Sequence, residues 1–267
     1  VNLVKNRHVL PTWVVRLELE NNNKSVMIEI ENLVKKFGPL TAVNNISFTV
    51  ESGEVLGFLG PNGAGKSTTM KMITGFLAPT SGTIRVCGHP VEGDSLQAKR
   101  EIGYLPEGAP SYGEMTPLQF LQFIGDVRGL KGTKRAERID TVISQLHLQQ
   151  VINRPIETLS KGFKRRVGLS QAILHDPLVL ILDEPTDGLD PNQKYEVREL
   201  IKGMAKDKII VISTHILEEV DAVCSQAIII ANGEVVANET PKELISRSPT
   251  GRLDDVFREI TSAESLS

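Results

Sequence analysis

The stretch Gly60-Pro61-Asn62-Gly63-Ala64-Gly65-Lys66-Ser67-Thr68 constrains this chain more than any other. It fits the pattern G-x-x-x-x-G-K-[ST]. The apolar run Val55–Leu59 precedes it and suits a strand buried on both faces. A helix is expected from Lys66 to about Phe76. A strand, a glycine loop and a helix in that order make a cradle for phosphate. The glycines let the backbone wrap closely around phosphate oxygens. The helix N-terminus adds free N–H groups and partial positive charge. Lys66 is expected to reach the β- and γ-phosphates of a nucleotide, and Ser67 to ligate Mg2+.

A second stretch complements the first. Leu178-Val179-Leu180-Ile181-Leu182-Asp183-Glu184 is an apolar strand ending in two acids. The C-terminal end of a parallel strand is where such folds bind ligands. Asp183 is placed to hold Mg2+ through its water shell, and Glu184 to polarise an attacking water. Strand-end acids alone are a weak sign, since they often only cap a helix. A phosphate loop on the same chain favours the catalytic reading.

The rest of the chain alternates in kind. Val26–Glu31 and, less cleanly, Ala42–Glu51 alternate apolar and polar residues as half-buried strands do. Thr83–Cys87 is another strand. The middle is helical: Thr116 before Pro117 is a good cap. Pro117, Phe120, Leu121, Ile124 and Val127 share one face, and Ile139, Val142, Ile143 and Leu146 form a second stripe. Both stripes read as helix packing. Leu178–Leu182 and Ile209–Ser213 are strands with a helical segment, Gln193–Met204, between them. That alternation argues for a parallel sheet with crossover helices. Ala227–Ala231 and Glu234–Ala237 flank Asn232-Gly233, a hairpin signal.

Composition narrows the function. The 267 residues allow one α/β domain with a sizeable insertion. A net charge of −3 gives no overall attraction to nucleic acid. No run of roughly eighteen or more apolar residues is present, so a membrane role must come through a partner. Cys87 and Cys224 stand far apart in no metal-ligand spacing. They read as inert core thiols in a reduced, cytoplasmic setting. His8, His89, His147 and His175 are scattered and read as ordinary. Lys164-Arg165-Arg166 could suggest nucleic acid but reads rather as a solvated helix face with some contribution to an anion site. Residues 1–26 lack the pattern of a signal peptide and read as an extension, partly disordered around Asn21, Asn22 and Asn23.

Five further motifs carry a resemblance. Leu159-Ser160-Lys161-Gly162-Phe163, about twenty residues before the two acids, is similar to the L-S-G-G-Q signature of the ATP-binding-cassette (ABC) family. Gly188-Leu189-Asp190-Pro191 resembles its D-loop, and Ser213-Thr214-His215 its switch histidine. Ile102-Gly103-Tyr104-Leu105-Pro106-Glu107 resembles its Q-loop. Phe37 before Gly38 stands where the family puts an aromatic that stacks on adenine. The resemblance runs in order from about Met27 to Glu243.

The resemblance implies an α/β fold: a P-loop NTPase core with a parallel sheet, an N-terminal antiparallel β subdomain and an inserted α-helical subdomain. The ATPase domain would span 27–245, with the helical part about 108–175 and a short tail over 246–267. It implies hydrolysis of ATP with Mg2+. Lys66, Glu184 and His215 would be catalytic. Gly60, Pro61, Asn62, Gly63, Ala64, Gly65, Lys66, Ser67 and Thr68 would cradle the nucleotide with Phe37. Ser67, Glu107 and Asp183 would serve the metal. Ser160 and Gly162 would face the γ-phosphate held by another subunit, with Asp190 linking the two sites. That implies a head-to-tail homodimer or pseudo-homodimer. A separate transmembrane permease and a peripheral place on the cytoplasmic face of the inner membrane are also implied, with no nucleic-acid partner.

Two departures stand out. Glu107 replaces the usual glutamine, and Lys161 and Phe163 replace the glycine and glutamine of the signature. Such variants are similar to ABC-2 exporters, including the subgroup associated with gliding and drug or ion efflux. That likeness implies export. A soluble ABC ATPase acting on nucleic acid or ribosomes is the competing class. Those usually carry paired cassettes, long coiled coils or zinc modules, which are not seen here. A pure ATP clamp is opposed by the intact Asp183-Glu184 pair and His215.

Overall fold

The computed structural model describes residues 26–93, 96–109 and 111–263. The expected extension, with His8 and Asn21 to Asn23, lies outside them apart from its last residue. Among the described residues two sheets form. In the first, β1 (Val26–Phe37) pairs antiparallel with both β2 (Leu40–Glu51) and β4 (Ser81–Val86). The short β5 (His89–Pro90) completes it. The sequence pattern ends this first strand at Glu31, but it continues to Phe37. Register shifts between Ile30 and Leu33 and again before Lys35, with Asn32 at φ 49°, put the side chains out of phase. A bulged strand loses the period of two that betrays a regular one.

The second sheet has the order β10-β9-β3-β8-β7-β6. Its members are β3 (Val55–Leu59), β6 (Ile102–Leu105), β7 (Val179–Asp183), β8 (Ile209–Thr214), β9 (Gln226–Ala231) and β10 (Glu234–Glu239). All neighbours are parallel except the β9–β10 hairpin. Every residue of β3, β7 and β8 is buried, the apolar runs together with the polar residues Asp183, Ser213 and Thr214 at the ends of β7 and β8. The four-residue β6 is too short to read by periodicity. It is shaped by Gly103, where a Cβ would sit 2.2 Å from the Ala172 carbonyl of a packed helix.

Nine α-helices are described, besides two short 3-10 turns: α1 (Lys66–Ile73), α2 (Leu96–Glu101), α3 (Pro117–Val127), α4 (Gly132–Gln145), α5 (Lys161–Ile173), α6 (Pro191–Met204), α7 (Leu217–Val223), α8 (Pro241–Ser246) and α9 (Leu253–Ala263). α1 ends three residues before the expected Phe76. The Phe76 and Leu77 amides both donate to the Lys71 carbonyl around Gly75 at φ 68°. α3 opens with the expected Thr116, in a full capping box with Gln119. Its stripe buries Phe120 and Leu121, but Val127 at the last position is 67% exposed.

Three apolar clusters hold the molecule. One lies between the parallel sheet and α3 to α6, with Leu121, Val142, Leu146, Val167 and Leu182. A second joins the two sheets around Phe48, Phe58, Met70 and Val211. The third seats the last helices: Leu253 and Val256 of α9 pack with Leu244 and Val220. Among the described residues no helix is long and apolar enough to cross a membrane. Cys87 and Cys224 are free and partly buried. Burial above all pushes their thiols up to about 11 and about 12, which keeps them unreactive. His175 is half-buried against the Ile102 carbonyl, and burial pulls it down to about 4.

Candidate nucleotide site

Parallel pairing sets four strand ends side by side. Leu59 of β3 lies opposite Thr214 of β8, Ser213 of β8 opposite Asp183 of β7, and Leu182 of β7 opposite Leu105 of β6. The glycine loop, His215, Glu184 and Glu107 follow these strands directly, so one sheet edge gathers them. The loop, Glu107 and Glu184 border a pocket of about 290 Å³ lined by Ala42, Asn62, Gly63, Gly65, Lys66, Ser67, Thr68, Glu107 and Glu184, and His215 reaches it through Glu184.

The loop's glycines answer to different demands. A Cβ at Gly60 would sit 2.3 Å from the Ile230 carbonyl, and one at Gly65 2.5 Å from the Ala42 carbonyl. Gly63 has open space but lies at φ 84°. Gly60→Ala is therefore expected to destabilise the protein by about 1–3 kcal/mol through overpacking. The urea midpoint would report it; an unchanged midpoint would mean the loop has slack that the packing does not show.

Lys66 is buried and its ammonium donates to the Gly60 and Pro61 carbonyls at 2.7 and 3.1 Å. Burial lowers its pKa, and the charges of Glu184, Asp183 and Glu107 oppose that shift. Glu184 sits at φ 51°, its amide held by the Ser213 carbonyl at 2.8 Å. Its Oε1 lies 2.8 Å from His215 Nδ1. Ala64 is buried behind the loop.

The basic triplet departs from its reading as a solvated face. Arg165 and Arg166 are 5% and 7% exposed. The Arg165 guanidinium donates to the Pro106 carbonyl at 3.1 Å and to the carbonyls of Asp183 and Glu184. One helix cation thus braces both acid-bearing strand ends. Arg166 bonds Glu196 at 2.8 Å and lies over the Phe163 ring. Consecutive charges suggest a surface only when one side of a helix is covered. Here α5 packs against β6 as well as α3 and α4.

The residues also fit a divalent cation. Asp183 is 1% exposed, and neither of its carboxylate oxygens has a hydrogen-bond partner among the described residues. The hydroxyls of Tyr104, Thr186 and Ser213 are buried and likewise unpartnered. Ser213 is the register partner of Asp183, and Tyr104 that of Ile181, two residues back on the same face. A bare buried carboxylate is costly. A hard cation with its water shell satisfies such a group. Burial, then the charges of Asp183 and Glu107, push the Tyr104 hydroxyl up to about 12, so it stays a donor.

Ser160, Gly162, Asp190 and Phe37 do not line this pocket. Ser160 caps α5, its hydroxyl oxygen 3.4 Å from the Phe163 amide, and Asp190 caps α6 at 3.0 Å from the Gln193 amide. A Cβ at Gly162 would meet Gln193 Oε1 at 2.4 Å, and one at Gly188 would touch the Lys161 stem. The signature and D-loop residues therefore share one surface patch. Phe37 ends β1, 48% exposed, with the Lys35 ammonium 5.1 Å from its ring centroid. Ala42, Tyr104, Arg165, Thr214 and Glu219 escaped the sequence reading as site residues. Ala42 lines the pocket from β2, and its carbonyl crowds the Cβ position of Gly65, which no side-chain pattern could flag.

A phosphate loop between a buried strand and a helix, beside an acid-tipped parallel neighbour, defines a nucleoside-triphosphate hydrolase of the phosphate-loop class. Residues 43–187 match the family model described as ABC transporter. The chain is 40% identical over 224 residues to the uncharacterized ABC transporter ATP-binding protein YxlF of Bacillus subtilis, covering 84% of this chain and 74% of that protein. It is 34% identical over 221 residues to the Nod factor export ATP-binding protein I of Ralstonia nicotianae, covering 82% and 69%. A solved structure described as the ATP binding subunit of an ABC transporter aligns with a TM-score of 0.80 at 30% identity, over 88% of this chain and 99% of that one. The chain belongs to the ATP-binding subunits of ABC transporters, and it is an ABC ATPase.

Proposed function

We propose that this subunit hydrolyses ATP in a head-to-tail dimer and drives export through a separate membrane permease. The observation that carries the chemistry is the placement of Glu184 on the Lys66 pocket, with His215 at 2.8 Å. Lys66 exchanges its loop carbonyls for the β- and γ-phosphates. Glu184 accepts a proton from the attacking water, and His215 fixes the carboxylate and senses the γ-phosphate. Backbone N–H groups at the start of α1 stabilise the developing charge. Asp183, Ser67 and Glu107 would hold Mg2+, which neutralises phosphate charge when bound. Phe37 stacks on the adenine from the end of β1.

Dimerisation follows from what one chain lacks. Ser160, Lys161 and Asp190 are exposed together, yet outside their own chain's pocket. A second copy placed head to tail brings Ser160 and Gly162 onto the γ-phosphate. Loss of that phosphate then opens the interface. The ATPase unit is taken as 27–245, with its helical part at about 108–175 passing the motion to the permease. Likeness to the Ralstonia relative's printed role supports export, and with a permease partner the subunit would sit peripherally on the cytoplasmic face of the inner membrane.

Lys66→Ala tests the pocket. A charge-assisted hydrogen bond contributes about 1.5–3 kcal/mol, so ATP affinity is expected to fall at least about tenfold in a nucleotide titration. Unchanged affinity would contradict the assignment.

A further inference from the structure

Glu219 lies in the first turn of α7, outside every motif described above, and is 2% exposed. A buried carboxylate that does not itself line the pocket calls for an explanation. Its Oε1 has no hydrogen-bond partner among the described residues. Its Oε2 accepts from the Thr214 hydroxyl at 2.8 Å. The same hydroxyl oxygen lies 3.5 Å from Glu184 Oε2, at the outer limit of a hydrogen bond, and accepts from the Ile216 amide at 3.1 Å. Thr214 has one hydrogen to give and two carboxylates within reach. The distances assign it to Glu219.

We infer that Glu219 is a positioning residue for hydrolysis: it draws the Thr214 hydroxyl hydrogen away from Glu184 and leaves Glu184 Oε2 open to take a proton. This rests on the reading of Glu184 as the base. His215 already engages the other oxygen, Oε1. A hydroxyl donating to Oε2 would occupy the second oxygen and blunt the base. The arrangement needs only an accepting oxygen facing Thr214, which a carboxylate, a neutral carboxyl C=O or an amide C=O supplies. Burial pushes its carboxyl up, aided by the charge of Glu184. The Thr214 hydrogen bond, Arg198 and Lys194 act the other way.

The arrangement makes an unusual prediction. Glu219→Leu frees the Thr214 hydroxyl to turn to Glu184, so kcat should fall about tenfold with ATP affinity unchanged. Adding Thr214→Val removes that hydroxyl and should recover most of the loss. Replacing both partners by apolar groups of similar shape is also mild on stability. A packing role for Glu219 would give no such recovery. Glu219→Gln keeps an acceptor for Thr214 and should lose less than about threefold, an arm that survives if leucine does not fold. A wild-type kcat in Glu219→Leu, a double variant no better than the single one, or a tenfold loss in Glu219→Gln with intact ATP affinity would each overturn the inference. Glu184→Gln is measured alongside. If it turns over at the wild-type rate, the base assignment falls and takes this inference with it. If it is inactive while Glu219→Leu is fully active, only this inference falls.

Discussion

Glu184→Gln is expected to bind ATP as the original protein does and to lose turnover by about 10²–10⁴-fold, the range assigned to a positioned general base. Glutamine keeps the shape and a hydrogen-bonding atom toward His215, so the pocket should survive. It cannot accept the proton of the attacking water. The backbone cost is also unchanged, because Glu184 sits at φ 51° held by the Ser213 carbonyl, and glutamine inherits that position. Single-turnover hydrolysis beside a nucleotide titration separates the two effects. Loss of turnover without loss of binding places the interaction in the transition state. Wild-type hydrolysis would remove Glu184 from the mechanism.

Arg165→Met is expected to destabilise the fold by about 3 kcal/mol and to depress turnover even where the protein remains folded. Three carbonyls, the buried one of Asp183 and the half-buried ones of Pro106 and Glu184, lose their shared donor. Each unsatisfied buried group costs about 1–3 kcal/mol, and some relaxation reduces the sum. Burial lowers the Arg165 pKa, while Asp187, Asp183, Glu184 and Glu107 favour the charged form. Removing the cation therefore also leaves four acids less balanced. Lysine should restore only part of the loss, since it has no planar fork to reach two strand ends at once. Urea unfolding gives the first effect and turnover well below the midpoint gives the second. A variant with native stability and activity would show that the brace is incidental.

The site was legible where chemistry demands particular residue types in a row. Gly60 to Thr68 stands out because a phosphate loop needs its residue types in a fixed order, whereas Asp183-Glu184 gains meaning only beside that loop. The apolar runs of β3, β7 and β8 were legible for a similar reason: burial on both faces leaves polar residues only at the C-terminal ends, Asp183 in β7 and Ser213 and Thr214 in β8. Legibility failed where a role depends on what a helix or strand packs against. Arg165 and Arg166 look like a surface pair until both sides of α5 are covered. Glu219 looks like one of two acids opening a short helix, and only the fold reveals it as buried. β1 hid its second half behind bulges, and Ala42 lines the pocket from a strand position that no pattern marks.

The proposed mechanism stands or falls on a pocket that one chain cannot complete. The measurement is ATP turnover per chain across a dilution series, paired with light scattering in the presence of ATP. Turnover per chain is predicted to fall on dilution as the scattering mass drops from two chains to one. Constant turnover from a species that stays monomeric at every concentration would contradict it.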